Sequence, residues 1–398
     1  MGTEAERQET LAHNAKFPDP AQNTKILNEN ITEWLLGTVE IPNDSVDTPR
    51  PDTQSVYAKF LRCLLAPNYT VFSNTRSQEN WNKVHRNDPF KSHHVVALES
   101  PHNSIHLALG GFYRKGSLDT DLNVDPIRGA NGDMGDNETA GFDPIFFFHH
   151  CFIDYTFSVW QRLWGRTKYG DLTVIQNDPG TILKVGQPPN FPPGTHLRMT
   201  TPLHPFKKYP SGEYYTSNDA TNLRELGIAY GPGSFDALIP EGVDPARSGK
   251  SPFDIINPQV PDPMKLAGSN PKAANPFPVT KWVHNINRNQ YNGSFVVRLY
   301  ARGHDGKEVE VGWEPVLSRW NVKRCSNCQS HSDVNVHVPL DAATLELLEG
   351  LAGPTGQKAE IDWLVKIHAH DGLHDFSIAT PGEDRSGEPV KRPKVGDL

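Results

Sequence analysis

The chain has 398 residues, a net charge of −8, 36% hydrophobic and 22% charged residues, with 18 Phe and 8 Trp. That is apolar mass for one large or two medium globular domains. No basic stripe points to nucleic acid, and no run of about 18 apolar residues is present to span a membrane.

The opening residues MGTEAERQETLAHN are polar, with no secretory pattern, so a cytoplasmic location is expected. Residues 1–53 form a lead-in with one amphipathic helix over 22–36, where Ile26, Leu27, Ile31, Trp34 and Leu35 recur at helical spacing. A second domain, 54–280, opens with a helix over 54–65 that buries Cys63 as a small hydrophobe. Residues 68–78 read as irregular, and His85, His93 and His94 as surface or hydrogen-bonded core histidines. A helix over 99–109 closes at Gly110 and Gly111. After a loop rich in Gly and Asp, Asp143 as N-cap and Pro144 in the first turn begin a helix that runs to about Trp164. The Pro-, Gly- and Asn-rich stretch 165–280 is expected to wrap this core, with short helices at 218–226 and 233–238. From 281 to 382 the pattern turns to period two. Strands are expected at 293–301, 308–316, 333–340, 362–370 and 375–380, with a helix at 341–350, as in a small β-sandwich. His368, His370 and His374 read as a solvated face, and 383–398 as a loose tail.

His102 and His106 stand four apart, so they project from one face of a helix within reach of one metal ion. His149 and His150 sit in the apolar run FFFHHCF, where an imidazole without a partner is costly to bury. A metal or a carboxylate is the natural partner. Asp154, one turn after His150, can accept from a ligand N–H. Ordinary buried histidines with hydrogen-bond partners are the alternative.

The stretches ESPHNSIH (99–106) and DPIFFFHHCFID (143–154) resemble the second metal-binding half of the tyrosinase, catechol oxidase and hemocyanin family of dinuclear copper proteins. SFVV, EPVLSRW and CSNCQSHSDVNVHVPL are similar to the β-rich C-terminal domain of fungal tyrosinases, and the resemblance covers roughly residues 55–380. It implies an α+β fold, a hemocyanin/tyrosinase-like helical bundle core with a C-terminal β-sandwich domain. It implies His102, His106 and His150 as metal ligands, His149 beside them and Phe146 packed behind. Glu99 resembles the fungal carboxylate that orients a water, and Asn103 its partner. Leu317 or Trp320 would fill the pocket from the C-terminal domain, or belong to the sandwich core. The pair Cys325 and Cys328 resembles a CxxC linked to copper delivery; it could also join His331 and His337 on zinc, or have only a local role.

The family's copper pair uses six histidines, three per metal. Before His85 this chain has only His13, and the first-site signature F-x-x-W-H-R is not found. The expectation is a lone three-histidine site with an open position. That suits one Zn2+ per chain, with Cu as the alternative, since imidazole accepts either. This reduced pattern resembles the fungal hemocyanin-like zinc cyclopenases of quinolone alkaloid pathways. The resemblance implies a lyase that contracts a cyclopenin-type benzodiazepinedione to a viridicatin-type quinolone with loss of methyl isocyanate. Glu99 would be its general acid or base and Asn103 the orienter. The alternatives are a tyrosinase or polyphenol oxidase-like copper oxidoreductase, truncated or partner-dependent, and a non-catalytic metal-binding protein. The expected partner is a small aromatic or alkaloid substrate. A homodimer is expected if the lead-in helices leave the bundle's apolar surface bare.

Overall fold

In a computed structural model of the chain, the described residues are 28, 56–85, 95–110, 133–183, 191–235, 239, 245–249, 255, 279–291, 293–303, 305–319, 332–340, 342–351, 361–369, 372–376 and 392–397. Of the expected helix at 22–36, residue 28 is described and is helical; the other residues lie outside the described set. The described residues group as two compact units, one of residues 59–100 and 149–276, the other of 1–58, 101–148 and 277–398. No described helix is long and apolar enough to cross a membrane.

The helices are α1 (Val56–Cys63), α2 (Tyr69–Ser73), α3 (Thr75–Val84), α4 (Glu99–Gly110) and α5 (Ile145–Leu163). Residues 68–78, expected to be irregular, hold α2 and the start of α3. Two asparagines explain the difference. Asn68 Oδ1 accepts from the Val71 amide and Asn74 Oδ1 from the Ser77 amide, both at 3.0 Å. Each side chain satisfies an amide that a helix start leaves unpaired, so two short helices begin six residues apart. Asp143 caps α5 as expected, accepting from the Ile145 amide at 3.0 Å. His85 ends α3 and stacks on Trp81 at 3.6 Å, a local structural role.

The far end of α5 is its anchor. Trp160 is fully buried, stacks on Phe72 at 4.7 Å and donates its indole N–H to the Ala66 carbonyl at 2.9 Å. A side chain of that size removes on the order of 200 Å2 from water, worth about 5 kcal/mol. Trp164 repeats the device, donating to the Leu64 carbonyl at 3.0 Å. Cys63 is buried as expected, and burial pushes its thiol well above the usual range. Of the expected helices at 218–226 and 233–238, a single turn, Ser217–Ala220, is present; 233–235 form a turn and 236–238 lie outside the described residues. A hairpin not expected from the sequence, β1 (Pro202–Lys207) with β2 (Tyr214–Thr216), lies in the same stretch.

The C-terminal strands are β3 (Val279–Asn287), β4 (Phe295–Arg302), β5 (Glu308–Val316), β6 (Asp333–Leu340), β7 (Asp362–Ala369), β8 (Gly372–Asp375) and β9 (Lys394–Asp397), with α6 (Ala342–Leu351) between β6 and β7. They form two antiparallel sheets, β6-β3-β9 and β5-β4-β7-β8. Alternate residues of both sheets share one apolar core, including Val283, Phe295, Val297, Val336 and Ile367. Two expectations fail here. The tail is not wholly loose, because β9 pairs with β3 and Lys281 meets Asp397 at 2.6 Å. His368 is not on a solvated face: β7 lies between β4 and β8, and His368 is 9% exposed. His370 lies outside the described residues.

His337 on β6, opposite Trp282 on β3, is held down to about 4 by burial. The fold keeps it neutral, while an unfolded histidine protonates near 6.5. Below pH 6.5 the unfolded chain therefore binds more protons. The stability is complete above pH 6.5 and is lost as pH falls toward 4. A loss on the order of 2 kcal/mol is expected at the acid end. Thermal melting between pH 7 and 4.5 measures it. His337→Phe should flatten the dependence, and an unchanged profile in that variant would rule the role out.

Candidate metal centre

Helix α4 carries the first histidine pair. His102 and His106 lie one turn apart with ring centroids 4.5 Å apart, and their Nε2 atoms approach to 3.1 Å. The other nitrogen of each ring is already in use. His106 Nδ1 lies 2.8 Å from the Met134 carbonyl, and His102 Nδ1 lies 3.0 Å from Asn103 Oδ1. The Met134 carbonyl only accepts, so His106 Nδ1 carries the proton. That leaves Nε2 of His106 directed toward Nε2 of His102. Two imidazoles on one tetrahedral metal hold their nitrogens about 3.3 Å apart, from metal–nitrogen bonds of about 2.0 Å. The donor set therefore fits a metal ion.

Glycine makes this geometry possible. A Cβ on Gly110 would fall 1.7 Å from the Gly135 amide nitrogen and 2.5 Å from the Met134 carbonyl carbon. Only a residue without a side chain lets the 133–135 turn press against the end of α4, where Met134 reaches His106. Nothing in the sequence marks Met134: it acts through its backbone, inside a loop defined only by its composition.

Phe146, in the first turn of α5, lies edge-on to His106 at 6.0 Å. His149 and His150 follow within one turn, their rings 5.3 Å apart. The metal-ligating nitrogens of His102, His106, His149 and His150 all lie within 4.8 Å of one another. His106 and His149 are buried. The sequence reading placed His149 beside the ligands; the structure gives the cluster four possible donors. Burial holds His150 below its ordinary value, opposed by the charge of Asp154, so the ring favours its neutral, metal-binding form. Burial lifts the Asp154 carboxyl above the usual range, opposed by His150.

The remaining expected residues stand as follows. Glu99 Oε2 accepts from the Thr75 amide at 2.9 Å and from the Thr75 hydroxyl, so it caps α3. Asn103 orients His102. Leu317 packs with Trp313 against Leu107 of α4 and Val296 of β4. Trp320, Cys325 and Cys328 lie outside the described residues.

Gly110→Ala is expected to cost about 1–3 kcal/mol through overpacking. It should also weaken metal binding by about 10–100-fold through loss of the Met134 contact, although it changes no ligand. Calorimetric metal titration measures this; unaltered affinity in a folded variant would contradict the role given to Met134.

Comparison with known proteins places this geometry. The common central domain of tyrosinase matches residues 6–163. The chain is 42% identical over 357 residues to tyrosinase HcTyr2 of Hahella sp. (strain CCB-MM4), covering 88% of the chain and 58% of that protein. It is 38% identical over 337 residues to a tyrosinase of Aspergillus oryzae, covering 80% and 54%. The chain thus spans little more than half the length of these relatives. Solved structures of the tyrosinase from Burkholderia thailandensis align over the whole chain. At low pH the TM-score is 0.66, with 38% identity and 66% of that chain covered; at high pH it is 0.63, with 35% and 68%. A helical core carrying paired histidines, an adjoining two-sheet domain and these likenesses agree: the chain belongs to the tyrosinase family.

Proposed function

We propose that the chain provides a histidine-bound copper site of a tyrosinase-type phenol oxidase. His102, His106 and His150 are the ligands, and His149 is the fourth donor within reach. The observation that supports this most is the four-histidine cluster in a chain 42% and 38% identical to proteins named as tyrosinases. Copper held by imidazole supplies one-electron redox chemistry when bound. The chain's own residues do the rest. Met134 and Asn103 fix the two rings of α4 through their Nδ1 atoms. Asp154 offers a charged partner to His150. Phe146 lines the cluster with an aromatic edge that excludes water from one side of His106.

Zinc-dependent ring contraction of the cyclopenase type remains a second reading. One observation favours it: among the described residues a single histidine cluster is present. None of the tyrosinase relatives above lends it support, so it stands behind the copper reading. Glu99 serves it poorly as general base, since one carboxylate oxygen already accepts twice from Thr75.

Elemental analysis after exposure to equal copper and zinc separates the two readings, together with assays on catechol and on a benzodiazepinedione. Copper retention with catechol oxidation is expected. Zinc alone, with conversion of the benzodiazepinedione and none of catechol, would overturn the copper reading. His106→Ala should lower metal affinity by at least ~100-fold, more than loss of a residue that only supports a ligand. Retained affinity would remove His106 from the ligand set.

A further inference from the structure

The opening turns of α5 carry apolar side chains on two faces. Between Asp143 and Asp154 the chain has no charged residue. Phe146, His149, His150 and Ile153 recur at i, i+3, i+4 and i+7, and each is buried or half-buried. That stripe belongs to the histidine cluster. The other stripe is Ile145, Phe148 and Phe152 at i, i+3 and i+7, with Phe147 and Cys151 beside them, and all five are exposed. Phe147 is 60%, Phe148 72% and Phe152 47% exposed. Phe152 marks the edge of this face, where it meets Phe60 of α1 edge-on at 5.0 Å.

A helix that is apolar all round is normally buried all round. Here one side lies open. A whole aromatic side chain presents roughly 200 Å2, so these five residues leave about 500 Å2 of apolar surface bare on each chain. That is at the upper end of what a monomer exposes. Two such faces pressed together would remove about 1,000 Å2 from water, the threshold of a specific interface, before any rim residue is counted. The composition agrees: aromatic side chains lie at the centre, and the carboxylates of Asp143 and Asp154 stand beyond the ends. With no charge on the face, nothing selects an oppositely charged partner. An uncharged apolar face is complementary to itself, as a two-fold interface requires.

We propose that the exposed face of α5 is the interface of a two-fold homodimer, in which Phe147, Phe148 and Cys151 of one chain pack on the same residues of a second copy. The proposal goes beyond the metal reading and does not depend on it, because none of these side chains is a ligand.

Analytical ultracentrifugation of the full chain at micromolar concentrations should show a monomer–dimer equilibrium. Phe148→Lys, in a protein with unchanged far-ultraviolet circular dichroism, should weaken the dimer at least about 30-fold, as loss of a central anchor does. Phe148→Leu, which stays apolar, should retain it. Phe206→Lys, at a side chain 65% exposed on β1, should leave it unchanged. A short bismaleimide should join two wild-type chains and fail to join two Cys151→Ser chains, since Cys151 is exposed and Cys63 buried. Wild-type protein that stays monomeric would overturn the proposal. If Cys151 of that monomer is also inert to maleimide, residues of the same chain cover the face; if the monomer binds neutral phospholipid vesicles, a lipid surface does. A dimer that survives Phe148→Lys, or a crosslink that survives Cys151→Ser, would overturn α5 as the interface. Assemblies that keep growing with concentration would overturn the two-fold symmetry.

Discussion

Two imidazole nitrogens held 3.1 Å apart are the constraint on which the site depends. His106 donates its Nδ1 proton to a carbonyl, and the Nε2 atoms of the two rings face one another at about the spacing that two ligands of one metal ion take. A bound cation would be shared by both rings. The supporting parts follow from it. Gly110 permits the close approach of the 133–135 turn, Met134 then reaches His106, and Asn103 holds its neighbour.

The second helix is held from its far end. Trp160 and Trp164 tie it to the backbone of residues 64–66, and Phe72 packs on Trp160. The side that carries Tyr155 and Arg162 is covered by Ser234 and Phe235. Its opening turns are different: Phe147 and Phe148 are 60% and 72% exposed beside the buried His149. Rigidity is concentrated away from the ligands, so the ligand turn depends on how well the rest of the helix is fixed.

Much of this could be read from residue types. The i, i+4 histidines, the Asp-Pro helix start and the period-two strands each report a local rule, and each element appears within a few residues of its expected place. The failures are also physical. Asn68 and Asn74 look like loop residues until their side chains cap helices. The polar spacing of β9 gives no strand signal, because its partner β3 lies more than a hundred residues away. His368 looks exposed until β8 covers the strand that holds it. Met134 was illegible for a deeper reason, since a carbonyl has no signature in a sequence. The expected zinc chemistry came from counting histidines, whereas relatives 42% and 38% identical to this chain are named as tyrosinases.

Nitrogen NMR of the histidine rings tests the central claim most directly, because it reads which ring nitrogen carries the proton. The account predicts that His106 of the metal-free protein is protonated at Nδ1. The Nε2 signals of His102 and His106 should both move on addition of one equivalent of diamagnetic Zn2+. A proton on Nε2 of His106, or Nε2 signals that ignore the metal, would contradict it.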